Sequence, residues 1–183
     1  MRFLRYTIPL LAAALLTGCG KAGPPATTAA PSPDDHLPTH AQPKLPTMKI
    51  FFGTMHDKLF RPMDSLDAEL ALTPEQEMTG MMFRTNILET DSMLFRLPVP
   101  QQASFWMKNC PESISAAYIT ADGVIQEIHH LEQNDTNAVL AARNDIQFVL
   151  ETKDGWFMRH GIDVGTVIIS EKGPLAEVFL RQR

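Results

Sequence analysis

Short apolar runs separated by turn residues recur along the chain from about residue 48 onward, and several of them alternate apolar with polar side chains. Such runs predict β-strands. The predicted strands are MKIFF, LDAELAL, SMLFRL, ASFWM, IQFVLET, TVIIS and AEVFL. Two more apolar runs flank Asp122 and Gly123, a pair that favours a tight turn, so residues 115–131 predict a β-hairpin.

One segment has helical character instead. Thr73 is a good N-cap, Pro74 suits the first helical position, and Gln76 completes the spacing of a capping box. We expect this helix to end near Arg84, and WFMRHGI predicts one further helical turn. The whole pattern predicts a mostly β fold of the α+β class with one or two short helices, arranged as a compact β-sandwich or a small barrel.

The first residues have the pattern of an export signal. Arg2 and Arg5 precede a short apolar run, which is followed by small residues and Cys19. The run is too short to span a bilayer, which needs about 20 apolar residues. The tetrapeptide LTGC also resembles the bacterial lipobox, in which the cysteine is lipidated and becomes the first mature residue. The alternative is an ordinary secreted protein whose cleavage site lies near a cysteine.

The chain of 183 residues is therefore expected to contain three segments. Residues 1–18 form a lipoprotein signal peptide, residues 19–47 form a tether that begins at the lipidated cysteine, and residues 48–183 form a single globular domain. The tether is rich in Pro, Ala and Thr. This composition buries too little apolar surface to offset the entropy of ordering, so we expect a semi-extended segment.

The same residues predict where the protein resides. Gly20, rather than an acidic residue, follows Cys19, as in lipoproteins that are released to the outer membrane. We expect an exported protein that is lipid-anchored in the cell envelope, and at the outer membrane if the host has two membranes. The formal net charge of −5 and the lack of a basic stripe argue against a nucleic-acid partner.

Residues 79–110, TGMMFRTNILETDSMLFRLPVPQQASFWMKNC, resemble the signature of an uncharacterised bacterial and archaeal family called domain of unknown function family 192. The resemblance covers roughly residues 66–170, and the FWMKN run is its most distinctive part. It implies a compact, mainly β, often exported domain, and no settled activity. The matching positions are Gly80, Met82, Arg84, Met93, Leu94, Phe95, residues 105–109, Asp122, Gly123, Leu150, Glu151, Gly155 and Gly165.

The chain departs from the family pattern at several positions. Ser115 stands where the family usually has an Asp, and Cys110 stands where it has a Thr. Ser92 replaces a usual Gly, and Thr166 replaces an acid. If the family uses the Asp in a polar site, this chain lacks one of that site's groups.

The FWMKN run also contains the candidate binding residues. In a strand, Trp106 and Lys108 share one face and present a cation beside a ring, a surface suited to sugars, aromatic groups or anions. Arg84 is a second candidate cation, Glu151 the candidate acid, and Asn109 a further polar group. The alternatives are that Trp106 fills the core, that Lys108 and Asn109 belong to a turn, and that Arg84 binds carbonyl groups of its own helix.

A second set of residues suggests a metal. Met82, Met107 and Cys110 offer thioether and thiol ligands that suit Cu(I) outside the cytoplasm. Methionine is also a flexible core filler, and Met78, Met81 and Met82 have the spacing of a buried helical stripe. The Cys110 thiol is either buried and inert, or reactive. No local pattern pairs it as a nucleophile with His129, His130 or His160.

Two classes of function follow. The first is a membrane-anchored, non-catalytic binding module whose ligand is an envelope polymer, a small molecule or a protein partner. The second is a periplasmic copper-handling protein. We find no phosphate loop, zinc spacing or serine nucleophile elbow, so the sequence identifies neither catalytic residues nor a cofactor.

Overall fold

The structure, a computed structural model, describes residues 37–181. The predicted signal peptide, Cys19 and residues 20–36 of the predicted tether lie outside the described residues. Within them the chain forms, in order, β1 (Thr47–His56), β2 (Leu59–Ala71), α1 (Pro74–Thr79), β3 (Ser92–Gln101), β4 (Ser104–Phe105), β5 (Ile114–Thr120), β6 (Ile125–Leu131), β7 (Val139–Leu140), β8 (Ile146–Lys153), α2 (Trp156–Arg159), β9 (Val167–Ser170), β10 (Gly173–Pro174) and α3 (Leu175–Phe179).

A single mixed sheet dominates the domain. Its eight strands have the order β10-β9-β1-β2-β3-β8-β5-β6, and β4 and β7 form a separate two-stranded ribbon. All pairs are antiparallel except β2 and β3, which run parallel. The sheet is not closed, although one bridge joins Val124 in the β5–β6 turn to Val167 in β9. The predicted mostly β fold is confirmed, with three short helices instead of one or two and an open sheet rather than a barrel.

The first core lies on one face of the central strands β3, β8 and β5. Because successive strand residues point to opposite faces, Leu94 and Leu150 belong to this core together with side chains of β1 and β2. Helix α2 contributes Trp156, whose ring lies 5.1 Å from that of Phe52 between centroids. Leu175 of α3 also packs here.

The second core lies on the opposite face of the same strands. It contains Phe95 of β3, Tyr118 of β5 and Val149 of β8. Loops and the β4–β7 ribbon cover it; the ribbon packs Phe105 and Val139 against it, and the loops contribute Met81, Met82, Ile87, Ala103, Met107, Cys110 and Ala141. Burial on both faces explains why β3 and β8 have nearly continuous apolar sequences.

The parallel pair β2–β3 requires a crossover, and residues 72–91 provide it. A buried ion pair fixes this crossover to the sheet. Arg84 donates from Nη1 to Oε1 of Glu69 at 2.6 Å and from Nη2 to Oε2 at 2.9 Å, and Glu69 is only 4 % exposed. Burial raises the pKa of Glu69, but the hydrogen bonds and charge from Arg84 outweigh that effect and leave the pKa below its ordinary value.

The N-terminal segment, residues 37–47, also contacts the crossover. The side-chain amide of Gln42 donates a hydrogen bond to the carbonyl oxygen of Gly80, just after α1, at 2.9 Å. The backbone N–H of Leu45 donates to Oε2 of Glu69 at 2.8 Å. Part of the segment that the sequence assigns to the tether is therefore packed against the domain.

The structure differs from the prediction at α1 and at α3. Helix α1 has the predicted capping box, but it ends at Thr79 rather than near Arg84, because Gly80 follows with a φ of +46°. The segment AEVFL is helical in α3 and not a strand. A short apolar run does not distinguish a helix from a strand. Here Val178 and Phe179 pack with Leu175 against the first core. Among residues 37–181, no helix has both the length and the apolar character needed to cross a membrane.

We expect Arg84→Met to lower the free energy of unfolding by about 3 kcal/mol, because the Glu69 carboxylate then stays buried without its partner. Urea denaturation of the purified protein measures this loss. The control is Arg143→Met, which removes an exposed ion pair with Asp145 and should cost less than about 1 kcal/mol. Similar losses in the two variants would contradict a special role for the buried pair.

Candidate functional site

A cleft of about 290 Å³ opens between α1 and the β4 region, above the second core. Helix α1 and the residues after it form one wall, and the chain from Ser104 to Trp106 forms the other. Strands β3 and β8 supply the floor through Phe95 and Glu151. The lining residues are Pro74, Glu77, Met78, Thr79, Gly80, Met81, Met82, Phe95, Ser104, Phe105, Trp106, Cys110 and Glu151.

Aromatic rings and thioethers dominate the walls of the cleft. The rings of Phe95 and Phe105 meet edge to face with their centroids 5.2 Å apart. Trp106 is 38 % exposed, so its ring is accessible to a ligand from solvent. The β4–β7 ribbon holds this wall in place, because Ala141 donates a backbone hydrogen bond to the carbonyl oxygen of Ala103 at 2.8 Å.

Glu151 is the principal polar group of the cleft. It lies in β8 opposite Met93 of β3 and Ala116 of β5, which places its side chain on the second-core face. The residue is 5 % exposed, and among residues 37–181 its Oε2 has no hydrogen-bond partner. Burial raises the pKa of Glu151 to about 8, and the charge of Arg84 offsets only part of this effect. The carboxyl group is therefore mostly protonated at pH 7.

The groups around Glu151 are also held in their neutral forms. Burial and the nearby Glu151 carboxyl together raise the pKa of Cys110 to about 12. Burial and the Glu151 carboxyl, together with Glu127, also raise the pKa of Tyr118. The Tyr118 hydroxyl donates to the carbonyl oxygen of Val139 at 2.7 Å. A thiol in this state is protonated at neutral pH and is a poor nucleophile.

A second acid, Glu77, stands on the α1 wall of the cleft. It is half-buried, and burial raises its pKa above the ordinary value. The sequence analysis missed it. The residue belongs to a short amphipathic helix, and neither its spacing nor its neighbours distinguish it from an ordinary solvent-facing glutamate.

The structure places four of the predicted site residues in the cleft. Trp106 and Glu151, from the predicted binding site, line it together with Met82 and Cys110, from the predicted metal site. Met107 is 1 % exposed and belongs to the second core, and it is not among the described residues that line the cleft.

The other predicted binding residues lie elsewhere. Arg84 is held by Glu69 and lines a separate depression with Lys44 and Asp91. Lys108 places Nζ 5.6 Å from the centre of the Trp106 ring, outside the lining. Asn109 has a φ of +60°, a conformation that Asn tolerates, and its carbonyl oxygen accepts a hydrogen bond from Phe83 in the crossover at 2.7 Å.

The predicted strand ASFWM is much shorter in the structure. Strand β4 ends at Phe105, and a turn follows in which the Cys110 N–H donates to the carbonyl oxygen of Met107 at 3.0 Å. Strand alternation therefore does not apply to Trp106 and Lys108. They are neighbours because of the turn, which also places Cys110 under the cleft.

The departure at Ser115 does not alter the cleft. Ser115 pairs with Thr152, whereas its neighbour Ala116 pairs with Glu151, so Ser115 and Glu151 lie on opposite faces of the sheet. The Ser115 hydroxyl accepts a hydrogen bond from the Gly155 N–H at 2.9 Å. A family Asp at this position would therefore point away from the cleft.

None of the histidines within residues 37–181 lines the cleft. His129 contacts Glu127, and His130 contacts Asp154. His160 stacks on Trp156 with ring centroids 4.1 Å apart. In the part of the chain that the structure describes, no group of three or more His, Cys, Asp or Glu side chains is arranged to hold a metal ion.

We expect Glu151→Gln to remove a pH dependence of stability. Between its ordinary pKa of 4.5 and about 8, Glu151 keeps a proton in the folded protein that the unfolded chain has released. This group therefore makes the wild type less stable as the pH rises, by up to about 1 kcal/mol per unit. Urea denaturation at pH 5, 6, 7 and 8 should give the variant a shallower decline. Parallel profiles would contradict a protonated Glu151.

Comparisons with known proteins place the fold. The family model DUF192, described as an uncharacterized ACR, matches residues 58–169 and so includes every residue that lines the cleft. A proposed transcription regulator from Sinorhizobium meliloti 1021 is 24% identical with a TM-score of 0.62, and the match covers 71% of this chain and 98% of that one. A protein of unknown function from Novosphingobium aromaticivorans DSM 12444 is also 24% identical, with a TM-score of 0.60 and coverages of 81% and 99%.

These likenesses to solved structures describe the fold alone. No functionally curated protein matches the chain. The family match extends over more than half of the sequence and agrees with the resemblance carried by the FWMKN run. The chain therefore belongs to the uncharacterised DUF192 family.

Proposed function

We propose that this protein is an envelope lipoprotein, anchored through Cys19, whose domain is a non-catalytic binding module for a small ligand. The observation that supports the binding role is Glu151, which lines the cleft and whose buried Oε2 has no hydrogen-bond partner within residues 37–181. Buried polar atoms are nearly always paired in folded proteins, and leaving one unpaired costs about 1–3 kcal/mol. A ligand that pairs with Glu151 would recover this cost.

The size and lining of the cleft favour a small molecule over the other predicted partners. A volume of about 290 Å³ is at the lower end for small-molecule sites, and the mainly apolar walls with few polar groups are typical of them. An envelope polymer would have to enter through a side group or an end. A non-catalytic role is favoured because the Cys110 thiol is protonated and no described histidine lines the cleft.

The proposed anchor rests on the first residues of the sequence. The basic start, short apolar run and LTGC tetrapeptide together resemble a lipoprotein signal. Residues 20–36 would then connect the lipid to the domain, and fully extended they reach at most about 60 Å.

Cys19→Ser should abolish incorporation of labelled palmitate and release the protein from the membrane fraction, because it removes the proposed acylation site. Cys110→Ser is the matched control, since it removes a thiol that is buried in the domain and should leave labelling unchanged. A wild-type protein without label, or a Cys19→Ser variant that keeps it, would contradict the anchor.

Trp106→Ala should abolish stabilisation by any small ligand of the cleft, because the ring forms part of the wall. A thermal-shift panel of small molecules on the purified protein measures this loss of stabilisation. The effect is large enough to detect, because a ligand at a hundred times its dissociation constant adds about 2.7 kcal/mol to stability. The control is Met158→Ala, which removes an exposed apolar side chain on α2, outside the lining. Equal loss in both variants, or no loss in Trp106→Ala, would contradict a binding site here.

Copper handling remains a second candidate, because Met81, Met82 and Cys110 line the same cleft. Thioethers and thiolates are the ligands that Cu(I) prefers. The protonated Cys110 would have to release its proton on metal binding. In the same panel, a shift specific to Cu(I) that Met82→Leu and Cys110→Ser remove, and Trp106→Ala does not, would support this candidate over an organic ligand.

A further inference from the structure

The two carboxyl side chains in the described lining of the cleft, Glu77 and Glu151, are not balanced by a basic side chain. Glu77 stands on the α1 wall and Glu151 on the floor, and among the described lining residues there is no Lys, Arg or His. Arg84, the predicted basic partner of the site, is used by Glu69 and lines a different depression. The cleft therefore offers an anion no complementary side-chain charge.

The apolar part of the lining also suits a cation. Phe95, Phe105 and Trp106 contribute aromatic rings, whose faces attract positive charge. The Trp106 ring already has such a contact, since Nζ of Lys108 lies 5.6 Å from its centre. The thioethers of Met78, Met81 and Met82 are polarisable and adapt to the shape of a bound group.

We infer that the ligand of the cleft is an organic ammonium ion, an amine carried on an apolar or aromatic body. This inference rests on the proposed function and specifies its ligand class. The ammonium N–H groups would donate to the carboxylate of Glu151, which has an unpartnered oxygen within residues 37–181, while the apolar body packs against the rings and thioethers. A charge-assisted hydrogen bond in a dry site is stronger than one between neutral groups.

Binding of such a cation is coupled to the release of a proton. The groups near Glu151 are Arg84, which favours the carboxylate, and the neutral Cys110 and Tyr118. Because the Glu151 carboxyl is mostly protonated below a pKa of about 8, it must lose its proton to pair with the cation. The affinity for an amine that stays protonated over this pH range should therefore rise with pH, by up to about tenfold per unit, and level off above pH 8.

Three probes that share one aromatic body test the inference on the full-length protein in detergent micelles. They are 2-phenylethylamine, which is cationic at pH 7, the neutral 2-phenylethanol and the anionic phenylacetate. Calorimetric titration should give the amine an affinity about tenfold or more above the alcohol, because only the amine forms the charged hydrogen bond. Phenylacetate should bind more weakly than the alcohol.

Glu151→Gln separates the ligand class from the existence of the site. The amide keeps the shape of the acid but cannot become a carboxylate, so the variant should bind amine and alcohol about equally, with alcohol affinity within about threefold of wild type. Glu77→Gln changes a partly exposed residue that the fold tolerates, and it should lower the preference for the amine to a smaller extent. It keeps the inference testable if Glu151→Gln does not fold.

The failures of the two proposals are distinguishable. Equal wild-type affinities for amine and alcohol, or an amine preference that survives in both Gln variants, would overturn the ammonium ligand and leave the cleft as a binding site. The same follows if no probe binds while other small molecules stabilise the protein. If 2-phenylethanol binds to the wild type and equally well to Trp106→Ala, the proposed cleft itself is wrong. A 2-phenylethylamine affinity that is flat from pH 6 to 8, where the amine stays protonated, would contradict the coupling to Glu151.

Discussion

The buried pair of Arg84 and Glu69 is the interaction on which the geometry of the site depends. Parallel pairing of β2 and β3 forces the chain through a crossover, and that crossover forms one wall of the cleft. Two charge-assisted hydrogen bonds connect the end of the crossover to β2, and the same carboxylate also accepts the N–H of Leu45. One acid therefore holds three chain segments together.

Glu69 and Glu151 are buried to a similar extent, but their carboxyl groups have opposite protonation states near neutral pH. Glu69 receives hydrogen bonds and a full positive charge, and it is ionised. Glu151 receives only the more distant influence of Arg84, so its burial dominates and it keeps a proton near neutral pH. Arg84 pairs with Glu69, the structural acid, and Glu151 has no such partner among residues 37–181. This division separates the residue that maintains the wall from the residue that a ligand can contact.

Much of the fold could be predicted from local patterns, and the site could be predicted only in part. The capping box at Thr73 and the Asp122–Gly123 turn are determined by near neighbours, and both are present. Trp106 and Glu151 were grouped because they match the family signature, and both line one cleft in the structure. The position of Arg84 was not predictable, since its partner Glu69 is distant in sequence and comes close only through the crossover. Strand alternation failed beyond Phe105 because Asn109 turns the chain.

The docking of Gln42 beside Gly80 has a consequence for how ligands reach the protein. The chain toward Cys19 leaves the domain next to α1, and Met78 and Thr79 of that helix line both the cleft and a second depression, which Pro38 and His40 also line. With Cys19 held in a bilayer, the entrance would stay within a tether's length of the lipid surface. Molecules that partition into that surface would meet the cleft at a local concentration far above their average in the surrounding volume. A site of low affinity would then be occupied as fully as a high-affinity site is at the lower ligand concentration of the surrounding volume.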